Sequence, residues 1–201
     1  MGMGQPSPID DLKREHQTVL AEIKELEGRV QGLRRGAADT RGDARRELSD
    51  RLDMFRRSLM LHFKREEEGL FADAQRMVSE RARKVEVLGQ FFAGEEEDDM
   101  RAHAVLAARV EQMLRLLGAG GQAGGLDEQS LARLRAMVST VRALLESHAS
   151  KEDTMVFPMI QRALSAEQME TVRQRMVRLH LGGELTDSSA QGGEGLSRLD
   201  R

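Results

Sequence analysis

Apolar positions recur at steps of three and four along most of the chain, and alternating runs rich in Val, Ile and Thr bounded by turn residues are missing. The pattern predicts an all-α protein. A first helix is expected from about Pro8 to Leu33, with the stripe Leu12, His16, Val19, Ile23, Leu26 and Val30 on one face. Ser7, Pro8 and Asp10 supply its start: a hydroxyl N-cap, a proline in the first turn and an acid facing the orphan amides. After a polar break at 34–43, a second helix carries Leu48, Leu52, Phe55, Leu59, His62, Glu66 and Leu70. The pattern weakens beyond Met77, and 89–99 (GQFFAGEEEDD) reads as a loop whose acids form a solvated face or helix-start charge. A third helix shows His103, Leu106, Val110, Met113 and Leu117 and stops at the glycine-rich 118–125. The fourth reads Leu131, Leu134, Val138, Val141, Leu145, His148, Glu152 and Met155, with Pro158 near its end. A short fifth helix opens with Ser165 and Gln168 as a capping box and is expected to close at Gly182 and Gly183. The architecture expected is therefore an antiparallel four-helix bundle with a short flanking helix over 1–181, followed by a polar, glycine-rich, disordered tail over 182–201.

The stripes contain polar residues at core positions, and these repeat. His62-Phe-Lys-Arg-Glu66-Glu67 aligns without a gap on His148-Ala-Ser-Lys-Glu152-Asp153, and a lone histidine precedes each block at nearly the same distance, 46 residues for His16 and 45 for His103. Two similar helical hairpins follow from this. Residues equidistant from a hairpin loop come to the same height, so each hairpin brings its two histidines side by side. His62 and Glu66, like His148 and Glu152, are four apart, one turn along a single face. Two hairpins packed face to face converge four imidazoles and two carboxylates at one level. A single histidine on an apolar face is ordinarily a hydrogen-bonded core residue. A stripe of about 100° holds roughly a quarter to a third of helix positions, however, so four unrelated histidines would all fall in it with a chance of about 1%.

Composition sharpens the chemistry. There is no cysteine, which removes disulfides, thiolate zinc sites and iron–sulfur clusters, and no Tyr or Trp. Five histidines are present. The four stripes offer no Lys or Arg as counter-ion to Glu66 and Glu152, and an ionised carboxylate in a core costs several kcal/mol unless paired or bound to metal. Imidazole with carboxylate suits iron, manganese or zinc, and two shared carboxylates suit a pair of metals. Glu-x-x-His and His-Glu-x-x-His are absent, as are the glycine-rich nucleotide and nucleophile-elbow motifs. With 31 Lys plus Arg against 34 Asp plus Glu, nothing recommends nucleic acid or a membrane surface as partner. No spanning or secretory segment is visible, so a cytoplasmic location is expected.

These residues resemble the hemerythrin-like family, the HHE cation-binding domain, marked by a lone His, His-x-x-x-Glu, a second lone His, and a further His-x-x-x-Glu or His-x-x-x-x-Asp. Here these are His16, His62 with Glu66, His103, and His148 with Glu152 or Asp153. The resemblance covers about residues 8–163. It implies a four-helix bundle around an oxo- or hydroxo-bridged di-iron centre, with His16 and His62 on one iron, His103 and His148 on the other, and Glu66 and Glu152 bridging. On an ideal helix Glu152 lies about 40° around from His148 and Asp153 about 140°, which favours Glu152, although a distorted turn near Pro158 would reverse that.

One departure bears on function. Oxygen-carrying hemerythrins have His-x-x-x-His on the third helix, whereas four residues after His103 stands Ala107. Fewer nitrogen ligands leave coordination open, which favours binding or reducing a small oxidant (O2, H2O2 or NO) over reversible oxygen storage. A non-catalytic iron or oxygen sensor, or an iron storage and donor module, is the alternative. His180 is expected at the surface near a helix end, Glu67 and Asp153 in solvent or bonded to the site histidines, the methionines (Met54, Met60, Met155, Met159) as core filler, and Phe63, Phe71 and Phe157 around the metal pocket.

Overall fold

The computed structural model describes residues 7–33, 42–81, 86–119 and 126–190. Helix α1 spans Pro8–Gly32. Helix α2, Gly42–Lys64, runs without a break through a π-helical segment, Arg65–Phe71, into α3, Ala72–Arg81. Helix α4 is Glu86–Ala119. Helix α5, Glu128–Lys151, likewise passes through a π segment, Glu152–Val156, into α6, Phe157–Ala163, and α7 spans Ala166–Ala190. Caps are where the sequence places them. The Ser7 hydroxyl accepts from the Ile9 amide while Asp10 accepts from the Ser7 amide, and Ser165 and Gln168 exchange the same reciprocal pair before α7. Asp127 caps α5 through the Ser130 amide at 2.6 Å.

Four helices close a ring in the order α1, α2, α4, α5. Contacts fix every neighbour as antiparallel: His16 meets His62 and Arg29 meets Glu47 between α1 and α2, while Phe63 meets His103 and Arg56 meets Glu111 between α2 and α4. The Arg135 guanidinium also donates to the carbonyls of Val30, Gln31 and Leu33 at the end of α1, where helix carbonyls run short of intrahelical donors.

The interior has two apolar clusters. One, toward the α1–α2 and α4–α5 turns, contains Val19, Ile23, Phe55, Leu59, Val110, Met113, Val141 and Leu145. The other, at the opposite end, contains Ile9, Leu12, Leu70, Phe71, Val156, Phe157, Ile160 and Met176. Along α1, α2–α3 and α5–α6 the polar core positions fall between members of the two clusters, as His16 does between Leu12 and Val19. A single polar layer is thus sealed above and below by hydrocarbon.

Three expectations change. The stretch 89–99 is not a loop but lies inside α4, and Asp99 is 1% exposed although Glu97 and Asp98 stay in solvent. Helix continuity puts Glu95 and Asp99 on one face, where Lys151 on α5 receives both. Second, α7 continues through Gly182 and Gly183 to Ala190; of the expected tail, 191–201 lies outside the described residues. Third, Met155 is 38% exposed and Val156 takes the core position. The series His148, Glu152, Val156, Ile160, Leu164 steps by four throughout, which would drift around an α-helix, and the wider i→i+5 turn holds it on one face. Met54 is also on the surface, not in the core.

Candidate metal centre

Each π segment begins at or beside a buried glutamate, Glu66 and Glu152, both 0% exposed. Around them stand His16 from α1, His62 from α2, His103 from α4 and His148 from α5, all buried. The four Nε2 atoms point at the carboxylates. His16 Nε2 lies 3.3 Å from Glu66 and 2.9 Å from Glu152, and His62 Nε2 is 3.2 Å from Glu66. His103 Nε2 is 3.3 Å from Glu66, and His148 Nε2 is 3.3 Å from Glu152. Two overlapping sets result, His16, His62, Glu66 and Glu152, and Glu66, His103, His148 and Glu152, each with one ligating atom per residue within 4.8 Å of the others. All six residues predicted from the sequence therefore meet, and both glutamates belong to both sets.

The opposite ring nitrogens face an outer layer of carboxylates. His16 Nδ1 donates to Asp153 at 3.0 Å, His62 Nδ1 to Glu15 at 3.1 Å, and His103 Nδ1 to Glu67 at 2.7 Å. His148 Nδ1 stands 4.0 Å from Asp99. A proton fixed on Nδ1 turns the Nε2 lone pair toward the centre, the arrangement by which outer carboxylates orient imidazole ligands. Asp153 and Glu67 each cross from one hairpin to a histidine of the other. Glu152, not Asp153, faces the cluster.

Aromatic rings close two sides. Phe63 stacks on His103 with centroids 3.8 Å apart, and Phe157 stacks on His16 at 5.6 Å. Phe71, expected beside them, packs instead in the lower apolar cluster.

Charge and burial set the protons. Burial alone would depress His16, but the close approach of its Nε2 to the Glu152 and Glu66 carboxylates and their charge carry it up to about 10. His103 rises to about 9 through Glu66 and Glu67 against the same burial. Burial holds His62 down at about 4 and His148 at about 3, with the charge of Glu66 opposing it and that of the neighbouring imidazoliums adding to it. Burial and the charge of Glu66 push Glu152 well above the usual carboxylate range, while Glu66, despite its burial, is held well below it by His62, His103 and His16. The 3.0 Å approach of His103 Nε2 to His148 Nε2 requires one donor and one acceptor, and these shifts make His103 the donor.

Both carboxylate oxygens of Glu66 and of Glu152, with His16 Nε2 and His62 Nε2, are buried without a hydrogen-bond partner of good geometry. Burying that many unmatched polar atoms costs on the order of 1–3 kcal/mol each, far more than a domain leaves uncompensated. Cations at the shared positions satisfy them together, so this donor set fits metal.

Two outer residues were not visible in the sequence pattern. Asp99 sits four before His103, a helical neighbour, but the acidic run around it reads as solvated charge. Glu15 precedes His16 off the apolar stripe, and only the packing of α1 on α2 brings it to His62, with Arg65 paired to it. Ala107 is partly buried on α4, one turn beyond His103. The His180 side chain lies outside the described residues.

Residues 7–93 match a protein-family model, Hemerythrin, described as the Hemerythrin HHE cation binding domain. The match takes in His16, His62 and Glu66; His103, His148 and Glu152 lie beyond it, in the half that repeats the motif. No curated protein matches the chain.

Proposed function

From a chain whose residues 7–93 match the Hemerythrin HHE cation-binding domain, we propose a non-haem di-iron protein that binds or reduces a small oxidant, O2, H2O2 or NO. The carrying observation is the pair of four-residue sets that share Glu66 and Glu152. His16 and His62 would hold one iron, His103 and His148 the other, and the two glutamates would bridge them. The bound pair of irons would supply redox equivalents and Lewis acidity.

The chain's own residues do the rest. Asp153, Glu15 and Glu67 hold three imidazoles in the tautomer that presents Nε2. Phe63 and Phe157 exclude water from two sides of the layer, which strengthens the electrostatic interactions inside it. Glu152 favours a proton in the metal-free protein, so taking up metal there would release that proton. Alanine at 107, where oxygen carriers have a further histidine, supports ligand chemistry over storage.

Elemental analysis of protein purified without chelator should find about two iron atoms per chain. A Glu66→Ala, Glu152→Ala double variant that keeps more than half of that iron would remove the bridging assignment. Optical spectra before and after peroxide, nitric oxide and air would name the ligand. Equal peroxide consumption by iron-loaded and iron-free protein would remove the reductive reading.

A further inference from the structure

The outer carboxylates are not equivalent. Asp153, Glu15 and Glu67 accept directly from His16, His62 and His103 at 2.7–3.1 Å, and each is partly open to solvent, from 27% to 34% of its side chain. Asp99 is buried and stands at 4.0 Å from His148. That same Oδ1 is engaged by Lys151 Nζ at 3.3 Å while Oδ2 is buried without a hydrogen-bond partner, and Lys151 is braced by Glu95 at 2.7 Å. His148 approaches His103 and Glu152 through Nε2 and meets the rings of His16 and Phe63 edge to face.

We propose that Lys151 draws Asp99 away from His148, making the His103–His148 half the weaker of two cation positions, so that metal fills the His16–His62 half first and leaves it last. This rests on the metal-binding reading above and adds an order to it. Outer partners orient imidazole ligands and raise their basicity, and losing one typically lowers metal affinity about 10- to 100-fold. The structure has three such partners made and one unmade, and the unmade one belongs to the second position. Lys151 and Asp99 are thus positioning residues: neither touches the central layer, and both act through His148. The same lysine joins α5 to α4, so one cation sets both the helix contact and the looseness of the adjacent position.

Titration of the metal-free full-length protein with cobalt(II), read from its visible d–d bands and reversed with a chelator, should resolve two steps at least about 10-fold apart in affinity. Asp99→Asn, at a contact already unmade, should move either step by less than about 3-fold, whereas Glu15→Gln, at the partner of His62, should weaken the first step by about 10-fold. Lys151→Met releases Asp99 toward His148 and should draw the steps together by about 10-fold. A single step in the unaltered protein, a loss of about 10-fold or more in the second step on Asp99→Asn, or an unchanged separation in a folded Lys151→Met chain each overturn the proposed order. If Lys151→Met does not reach native helix content, the two carboxylate variants decide the matter by themselves. No cobalt uptake at all would overturn the metal reading itself, and the order with it.

Discussion

Helix α7 crosses the first π segment at Gly69, and the closeness of that crossing can be tested. A Cβ built on Gly69 would lie 2.6 Å from Met176 Cγ and 3.6 Å from Leu179 Cδ1, with the Met176 Cα at 3.8 Å. Carbon atoms rest at about 3.5–4.0 Å, so Gly69→Ala demands a displacement of about 1 Å. Met176 is 1% exposed and Cγ is close to its backbone, so the side chain has little room to retreat and α7 must move. Overpacking of this kind costs about 1–3 kcal/mol, offset by about 0.5–1 kcal/mol from replacing glycine in a helix. The difference spans about 0–2.5 kcal/mol, with a central net loss of about 1 kcal/mol, a fall in Tm of roughly 2–4 °C at about 2–4 °C per kcal/mol. Thermal unfolding followed by circular dichroism, on metal-free protein so that binding does not mask the change, provides the measurement. A double-mutant cycle isolates the cause. Met176→Ala alone should cost about 2–5 kcal/mol by leaving a cavity, and combined with Gly69→Ala it should cost less than the sum, by about 1–3 kcal/mol, because the added methyl enters the space vacated. An unchanged Tm for Gly69→Ala, or strict additivity in the cycle, would refute the packing argument.

The remaining predictions concern protons and register. In metal-free protein His16 and His103 titrate near 10 and 9 when folded, against 6.5 when unfolded. Their stabilising contribution is complete below 6.5 and is lost as pH rises through those values, so the Tm of the metal-free form should fall between pH 6.5 and 9; a flat or rising profile contradicts this. Metal loading at pH 7.5 must displace those two protons, and calorimetry in buffers of different ionisation enthalpy should detect release of about two or more per chain, whereas none would contradict it. The π register is checked by a pair of truncations: Val156→Ala should cost about 2 kcal/mol and Met155→Ala less than about 0.5 kcal/mol by chemical denaturation, the reverse of what a continuous α-helix would give.

Much of the fold was legible because helical periodicity is a local signal. The stripes, the reciprocal caps at Ser7 and Ser165, the antiparallel pairing and the meeting of His16, His62, Glu66, His103, His148 and Glu152 all follow from spacing and repetition. Readings went astray where a neighbouring helix decides the outcome. The acids of 95–99 look solvated until Lys151 receives Glu95 and Asp99, and Glu15 lies off the stripe until α1 packs on α2. A 3.6-residue turn places Met155 on the stripe, but the wider winding of Glu152–Val156 turns Val156 inward in its place. Gly182 and Gly183 carry the ordinary signal for a helix end, yet α7 passes through them.

The exchange of carboxylates across the layer has the form of a homodimer contact folded into one chain. Glu67 of the first half serves His103 of the second, and Asp153, its counterpart, serves His16 in return. That reciprocity is the mark of an isologous interface, in which one patch meets its own image about a two-fold axis. A true dimer would keep both metal positions identical, since every change in one protomer appears twice. Joining the halves lifts the constraint, and the two differ where symmetry no longer binds them: Glu15, though paired with Arg65, serves the histidine of its own hairpin directly, while Asp99, its functional opposite number, is held by Lys151 at 4.0 Å from His148.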